Sequence, residues 1–143
     1  MRRLLFTAVL SLSVLGCSKA DKTEKTDPKH EKLSDSVPSI TIDELDAKLA
    51  SKECQAVDAN GEGTRKKLGI IPGAILLTDS EAFSSSELPA DKSKTLVFYC
   101  ANTHCSASHE AAARALTAGY TSVKVLGDGI AGWVKAGKQT QKI

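Results

Sequence analysis

The residues best suited to chemistry in this sequence lie in the run LVFYCANTHCSASHEAAA, which covers residues 96–113. Its first four residues, Leu96 to Tyr99, predict a buried strand, and its alanine-rich end predicts a helix. Cys100 therefore ends a strand and faces a helix N-terminus, where backbone N–H groups converge. Such a position lowers the pKa of a thiol and favours a thiolate nucleophile that needs no metal. We predict Cys100 as the catalytic nucleophile; the alternative is a cysteine buried for packing alone.

A second cysteine, Cys105, closes the same short loop. It is a candidate resolving thiol that forms a disulfide with Cys100 in an oxidising compartment, or it is a small residue at a helix cap. Cys54 precedes another predicted strand and is expected to serve packing, although pairing with a loop cysteine stays open. His104 and His109 complete a C-x3-H-C-x3-H pattern, which is not a usual zinc spacing, so we predict no metal site. His104 could hydrogen-bond to a substrate or thiolate, whereas His109 is expected to be solvated.

The composition indicates one globular domain. The chain has 143 residues, 41% hydrophobic and 25% charged residues, and a formal net charge of +2. This near-neutral balance, without a basic stripe or an aromatic platform, predicts no nucleic-acid partner. Four cysteines are too few for a disulfide framework at this length.

The first residues have the pattern of an export signal. Arg2 and Arg3 precede an apolar run that ends in Val14-Leu15-Gly16-Cys17, which resembles a bacterial lipobox. That resemblance implies that residues 1–16 are a lipoprotein signal peptide and that Cys17 carries the lipid. An ordinary secretory signal is the alternative. The protein is then exported and anchored to the bacterial envelope facing the periplasm, and Ser18 after the cysteine favours the outer membrane over the inner membrane.

Residues 17–38 are predicted to be a lipidated cysteine followed by a charged tether. The stretch from Lys19 to Asp35 contains five lysines and five acidic residues and almost nothing apolar. Such a composition cannot bury enough surface to offset chain entropy and predicts disorder.

Strand and helix signals alternate along the remaining domain, residues 39–143, and this alternation predicts a parallel α/β fold. The predicted strands cover 40–42, 55–58, the end of 70–76, 96–99 and 122–126. The predicted helices cover 42–50, a short segment around 65–67, 106–118 and 130–136. The polar stretch 80–94 is expected to be a loop with one helical turn near Glu81. In parallel sheets, functional groups collect at the carboxyl ends of strands, which is where Cys100 lies.

Four segments of this domain, in order, resemble the rhodanese-like (sulfurtransferase) domain family. They are Val57-Asp58, GIIPGAI at 69–75, VFYC at 97–100, and AGYTSV at 118–123 followed by LGDGIAGW at 126–133. The resemblance implies a three-layer α/β/α fold with a four- to five-stranded, mainly parallel sheet. It also implies that the nucleophilic cysteine carries sulfane sulfur as a persulfide, passing it from a small sulfur donor to a thiol acceptor without a cofactor. Whether the protein has a protein partner does not follow from the sequence.

Carried over by residue, the resemblance makes Cys100 the nucleophile and Asp58 a supporting residue. The substrate-binding loop, whose backbone N–H groups point inward in the family, comprises Ala101, Asn102, Thr103, His104 and Cys105. Three positions depart from the family, because Ala101, Cys105 and Asn60 stand where basic residues are common. Arg65, Lys66 or Lys67 could supply the missing positive charge.

These departures leave three functions open. The first is sulfur transfer through a Cys100 persulfide, and the second is thiol–disulfide exchange between Cys100 and Cys105. The third is a non-catalytic module whose loop recognises an anion or a protein. A phosphatase is disfavoured, because Cys105 replaces the arginine that such loops need.

Overall fold

Parallel strands form the sheet at the centre of the domain. The computed structural model describes residues 33–143, and within that range four strands form a single sheet. They are β1 (Cys54–Asp58), β2 (Ile75–Leu76), β3 (Thr95–Tyr99) and β4 (Val123–Leu126), in the order β2-β1-β3-β4. Every pairing is parallel. The predicted signal peptide, Cys17 and most of the predicted tether lie outside the described residues.

The helices that surround this sheet begin and end near the predicted positions. They are α1 (Ile42–Ala50), α2 (Glu62–Leu68), α3 (Ala107–Thr117) and α4 (Gly129–Lys135). The Thr41 hydroxyl accepts a hydrogen bond from the Glu44 N–H at 3.2 Å and so caps α1. Gly69 ends α2 with φ of +78°, a conformation that glycine adopts without strain.

Helices cover both faces of the sheet, as the three-layer prediction requires. Leu96, Phe98 and Cys100 point to one face, where they pack in a cluster with alanines of α3. Val97 and Tyr99 point to the other face, where the cluster contains residues of α1 and α4. Because both faces are covered, β3 is apolar and fully buried from Leu96 to Tyr99.

The strand predicted at residues 40–42 was wrong, since Thr41 caps α1 and only Ser39 makes a bridge to Val125. The single helical turn predicted near Glu81 is present, because the Phe83 N–H donates to the Asp79 carbonyl oxygen at 3.0 Å. A 3-10 turn follows at Ser85–Glu87, where Ser84 and Glu87 form a capping box. No helix within residues 33–143 is long and apolar enough to cross a bilayer.

Candidate functional site

Cys100 lies at the carboxyl end of β3 with only 2% of its surface exposed. Its thiol donates a hydrogen bond to the Cys105 carbonyl oxygen at 3.1 Å. The sulfur is also 3.2 Å from the Ser108 hydroxyl in the first turn of α3. The strand, the loop and the helix therefore converge on one sulfur atom, as the sequence predicts.

The pKa of this thiol departs from the prediction. The pKa of Cys100 is raised to about 11, first by burial of the thiol and second by side-chain hydrogen bonding with Cys105. The Ser108 hydroxyl and backbone N–H lower the pKa, which is the effect expected at a helix N-terminus, but they do not outweigh burial. The resting Cys100 is therefore a protonated thiol rather than a thiolate.

Alkylation of Cys100 should therefore increase steeply with pH. Only the thiolate reacts with iodoacetamide, so the rate should increase about tenfold per pH unit from pH 7 to 10 and level off near pH 11. At pH 8 the rate should be about 100-fold lower than for a thiol with a pKa of 9. Peptide mass spectrometry after timed alkylation measures it, with circular dichroism at each pH as the control for folding. A plateau below pH 8 would contradict the raised pKa.

The loop that follows Cys100 is organised by Asn102. The Asn102 side-chain oxygen accepts the His104 N–H at 2.9 Å, and its backbone oxygen accepts the Cys105 N–H at 3.1 Å. These two N–H groups are therefore used within the loop and do not point at the Cys100 sulfur, unlike those of the cradle that the resemblance implies. Asn102 produces this difference because its short side chain bonds locally to the backbone in a turn. Asn102, Thr103 and His104 are exposed, whereas Ala101 and Cys105 are half-buried.

The other side of this loop is held by the start of α4. The N–H of Ile130 donates to the Cys100 carbonyl oxygen at 2.8 Å, and the N–H of Ala131 donates to the Ala101 carbonyl oxygen at 3.0 Å. Gly129 has φ of +61°, and a Cβ there would lie 2.6 Å from the Cys100 carbonyl oxygen. Glycine is therefore required for α4 to approach the loop this closely. Residue types and spacing alone did not single out Ser108 and Gly129 as parts of the site.

Asp58 supports the structure at the end of β1 and does not act as an acid in a pocket. It is fully buried, and its carboxylate accepts hydrogen bonds from the Asn60 N–H at 2.7 Å and from the Arg65 Nε at 3.3 Å. The Arg65 guanidinium also donates to the carbonyl oxygens of Asp58 and Leu77 at 3.0 and 2.9 Å. The guanidinium of Arg65 is thus used at the end of β1, where its charge compensates the buried carboxylate of Asp58.

The remaining candidate cations are not directed to the loop. Lys66 pairs with Glu62 on the exposed surface of α2, and Lys67 is exposed as well. Neither residue makes a described contact with the loop, and the described loop residues 101–105 contain no lysine or arginine. The positive charge that would hold a doubly charged anion is therefore missing at the described loop.

A cleft of about 420 Å³ opens beside Cys105. Its walls come from Thr103 and Cys105 of the loop, His109 of α3, the segment 39–41 and Gly127-Asp128 before α4. Cys100 does not line this cleft. His109 was expected to be solvated, but it is half-buried and its Nδ1 is 3.1 Å from the Ser34 carbonyl oxygen. Among the described residues, no three His, Cys, Asp or Glu side chains are grouped as ligands for a metal ion.

Fold and site together define an α/β protein with a buried cysteine in a strand–loop–helix turn, at the carboxyl edge of a parallel sheet. The family model described as the rhodanese-like domain matches residues 41–136. The chain therefore belongs to the rhodanese-like domain family, as its sequence motifs predict. No curated protein is significantly similar to it in sequence.

Solved structures share this fold at low sequence identity. The rhodanese-like domain of the Alr3790 protein from Anabaena is 24% identical with a TM-score of 0.61, covering 74% of this chain and 80% of that one. The thiosulfate sulfurtransferase of Pseudomonas aeruginosa is 24% identical with a TM-score of 0.62, covering 79% of this chain but 22% of that one. The human single-domain sulfurtransferase is 19% identical with a TM-score of 0.55, covering 69% of this chain and 96% of that one. These likenesses show the fold.

Proposed function

We propose that this protein transfers sulfane sulfur as a persulfide on Cys100. The observation that carries the proposal is the position of the Cys100 sulfur against the Ser108 hydroxyl, 3.2 Å away in the first turn of α3. Burial raises the pKa of Cys100 overall, but the hydroxyl and the N–H of Ser108 act in the opposite direction and lower it. Both groups therefore stabilise negative charge on sulfur. A persulfide anion formed there would gain from the same donors.

The reaction balances without a cofactor. The Cys100 thiolate attacks the sulfane sulfur of the donor, a new S–S bond forms at Cys100, and the donor leaves with the electron pair of its broken bond. The acceptor thiolate then attacks the outer sulfur, and Cys100 leaves as a thiolate that regains its proton. Deprotonation of the buried thiol is the costly step, because its pKa is about 11.

The donor that best suits this site carries little negative charge. The described loop lacks lysine and arginine, and Arg65 is bound to Asp58 and to the Leu77 carbonyl. A dianion such as thiosulfate would therefore be held less well than an organic persulfide, whose persulfide group carries at most one negative charge.

Mass spectrometry of the purified protein tests this function. After incubation with inorganic polysulfide without oxygen, the peptide that contains Cys100 should gain one sulfur atom, and cyanide should remove it as thiocyanate. Thiosulfate should load the same residue more slowly. The proposal is overturned if Cys100 stays unmodified with both donors while the protein is folded.

A second candidate function is thiol–disulfide exchange. It is favoured by the contact between the Cys100 sulfur and Cys105, whose carbonyl oxygen lies 3.1 Å away. Under this function the same mass spectrum would show the loss of two hydrogens across the Cys100 and Cys105 peptides, reversed by a mild reductant. A gain of sulfur and a loss of hydrogen are distinct masses, so one experiment separates the two functions.

We also propose that the protein is exported and anchored by lipid on Cys17, with the domain facing the periplasm. Support comes from the sequence, in which a positive start and a short apolar run precede the lipobox-like segment ending at Cys17. Metabolic labelling with a fatty acid should mark the wild-type protein and not the Cys17→Ser variant. Labelling of both proteins would refute this anchor.

A further inference from the structure

The proposed nucleophile and the cysteine that solvent can reach are two different residues. Cys100 is 2% exposed and does not line the cleft, whereas Cys105 is half-buried and does line it. The two residues are nonetheless in contact, because the Cys100 thiol donates a hydrogen bond to the Cys105 carbonyl oxygen at 3.1 Å. A small molecule in the cleft therefore reaches Cys105 more directly than Cys100.

A histidine in a defined tautomer shares this cleft with Cys105. The Nδ1 of His109 is 3.1 Å from the Ser34 carbonyl oxygen. A carbonyl oxygen can only accept, so Nδ1 must carry the proton. In the neutral ring this leaves Nε2 as a proton acceptor. His109 follows Cys105 by four residues, and both line the cleft.

The charges of the cleft favour a neutral or cationic ligand. Glu44 and Asp128 both contribute to its walls, and none of its lining residues is a lysine or an arginine. Lys124 reaches Glu44 at 3.4 Å and offsets part of that charge, whereas Asp128 has no described ion pair. An anionic thiol would be repelled by this lining, and a thiol with an ammonium group would be attracted.

We infer that Cys105 is a second catalytic residue, which takes sulfane sulfur from Cys100 and delivers it to a neutral or cationic small thiol bound in the cleft, with His109 Nε2 as the proton acceptor. This inference rests on the proposed persulfide at Cys100. It adds an exit route for the sulfur, by which we mean its transfer from Cys100 through Cys105 to the acceptor thiol.

The transfer balances as two exchanges. His109 Nε2 takes the proton of Cys105, whose thiolate attacks the outer sulfur of the Cys100 persulfide. The S–S bond at Cys100 breaks, Cys100 leaves as a thiolate and is reprotonated, and the persulfide now lies on Cys105. The acceptor thiolate in the cleft attacks the outer sulfur in turn, and Cys105 leaves as a thiolate. No oxidant or reductant is consumed.

Single-turnover discharge of the loaded protein tests the inference. Wild type and Cys105→Ser are loaded to completion with inorganic polysulfide, excess donor is removed, and cysteamine is added. Site-resolved mass spectrometry then follows the sulfur that remains on Cys100. We expect Cys105→Ser to hold its Cys100 persulfide and to discharge it at least about 100-fold more slowly than wild type. Cys54→Ser is the matched control, because Cys54 begins β1 at the amino end of the strands and the cysteine loop lies at their carboxyl end. This variant should discharge as wild type does.

Two further comparisons keep the test independent of a folding defect in one variant. In His109→Asn the amide can still donate to the Ser34 carbonyl but offers no ring nitrogen, so discharge should slow by roughly tenfold or more while loading still reaches completion. After each rate is divided by the thiolate fraction of the acceptor, cysteamine should discharge the wild type faster than 2-mercaptoethanol, and mercaptoacetate should be slowest. In Cys105→Ser this order should be lost.

The failures of the two proposals are distinguishable. If Cys105→Ser loads Cys100 and discharges it to cysteamine at the wild-type rate, the exit route is wrong and the persulfide function stands. If Cys100 loads in neither protein, the proposed function itself fails. If hydrosulfide is released as a Cys100–Cys105 disulfide forms, Cys105 attacks the inner sulfur and the relay is overturned.

Discussion

Cys100→Ser should reduce sulfur transfer by roughly 10⁴-fold or more, because serine cannot form the persulfide that carries the sulfur. The substitution is nearly isosteric, and a serine hydroxyl can still donate to the Cys105 carbonyl oxygen that the thiol contacts at 3.1 Å. The fold should therefore persist, with a change in the free energy of unfolding on the order of 1 kcal/mol. Thiocyanate release from polysulfide and cyanide measures the activity.

The same assay supplies its own control. Cys54 is buried, like Cys100, but it lies at the amino end of β1, whereas Cys100 follows the carboxyl end of β3. Cys54→Ser should lose some stability and keep the activity. Transfer at an unchanged rate in Cys100→Ser would remove Cys100 from the mechanism.

Gly129→Ala should destabilise the protein by about 2–4 kcal/mol and displace the cysteine loop. Two effects add. The φ of +61° is strained for alanine, and its Cβ would lie 2.6 Å from the Cys100 carbonyl oxygen and 2.7 Å from atoms of Ala101 and Asn102. The N–H groups that hold the loop belong to the next two residues, Ile130 and Ala131, so any backbone shift moves Cys100. Urea denaturation and the transfer rate measure the two consequences.

Two other glycines separate these effects. Gly73 has φ of +74° with nothing within 4 Å of its Cβ position, so Gly73→Ala should show the backbone strain alone, about 1–2 kcal/mol. Gly127 has no positive φ and no neighbour within 4 Å, so Gly127→Ala should be close to neutral. If Gly129→Ala lowers the free energy of unfolding no more than Gly73→Ala does, the close approach of α4 to the loop contributes nothing to stability.

The fold was predictable because its signals are local. The apolar run of β3 has no polar interruption, α1 begins at a threonine cap, and α2 ends at Gly69. Cys100 was predictable for the same reason, since it lies between an unambiguous strand and an unambiguous helix.

The electrostatics of the site could not be predicted, because they depend on contacts distant in sequence. The raised pKa of Cys100 comes first from burial, which only the packed domain reveals. Arg65 looked available to the loop, but folding brings it to the Leu77 carbonyl, twelve residues away. His109 looked solvated because Ser34, its partner, precedes it by 75 residues. Each of these effects depends on how distant segments pack together in the folded domain, which no local pattern in the sequence specifies.

The contact between His109 and Ser34 also fixes where the chain enters the domain. Ser34 lies at the beginning of the described residues, and Ser39 to Thr41 form part of the cleft wall. The cleft therefore lies beside the point where the described part of the chain begins. Leu33 follows Cys17 by sixteen positions, and that length of chain would span at most about 55 Å if fully extended. With that anchor, sulfur would be handed over within this distance of the membrane surface, and the length of the segment would set how large a partner could fit between them.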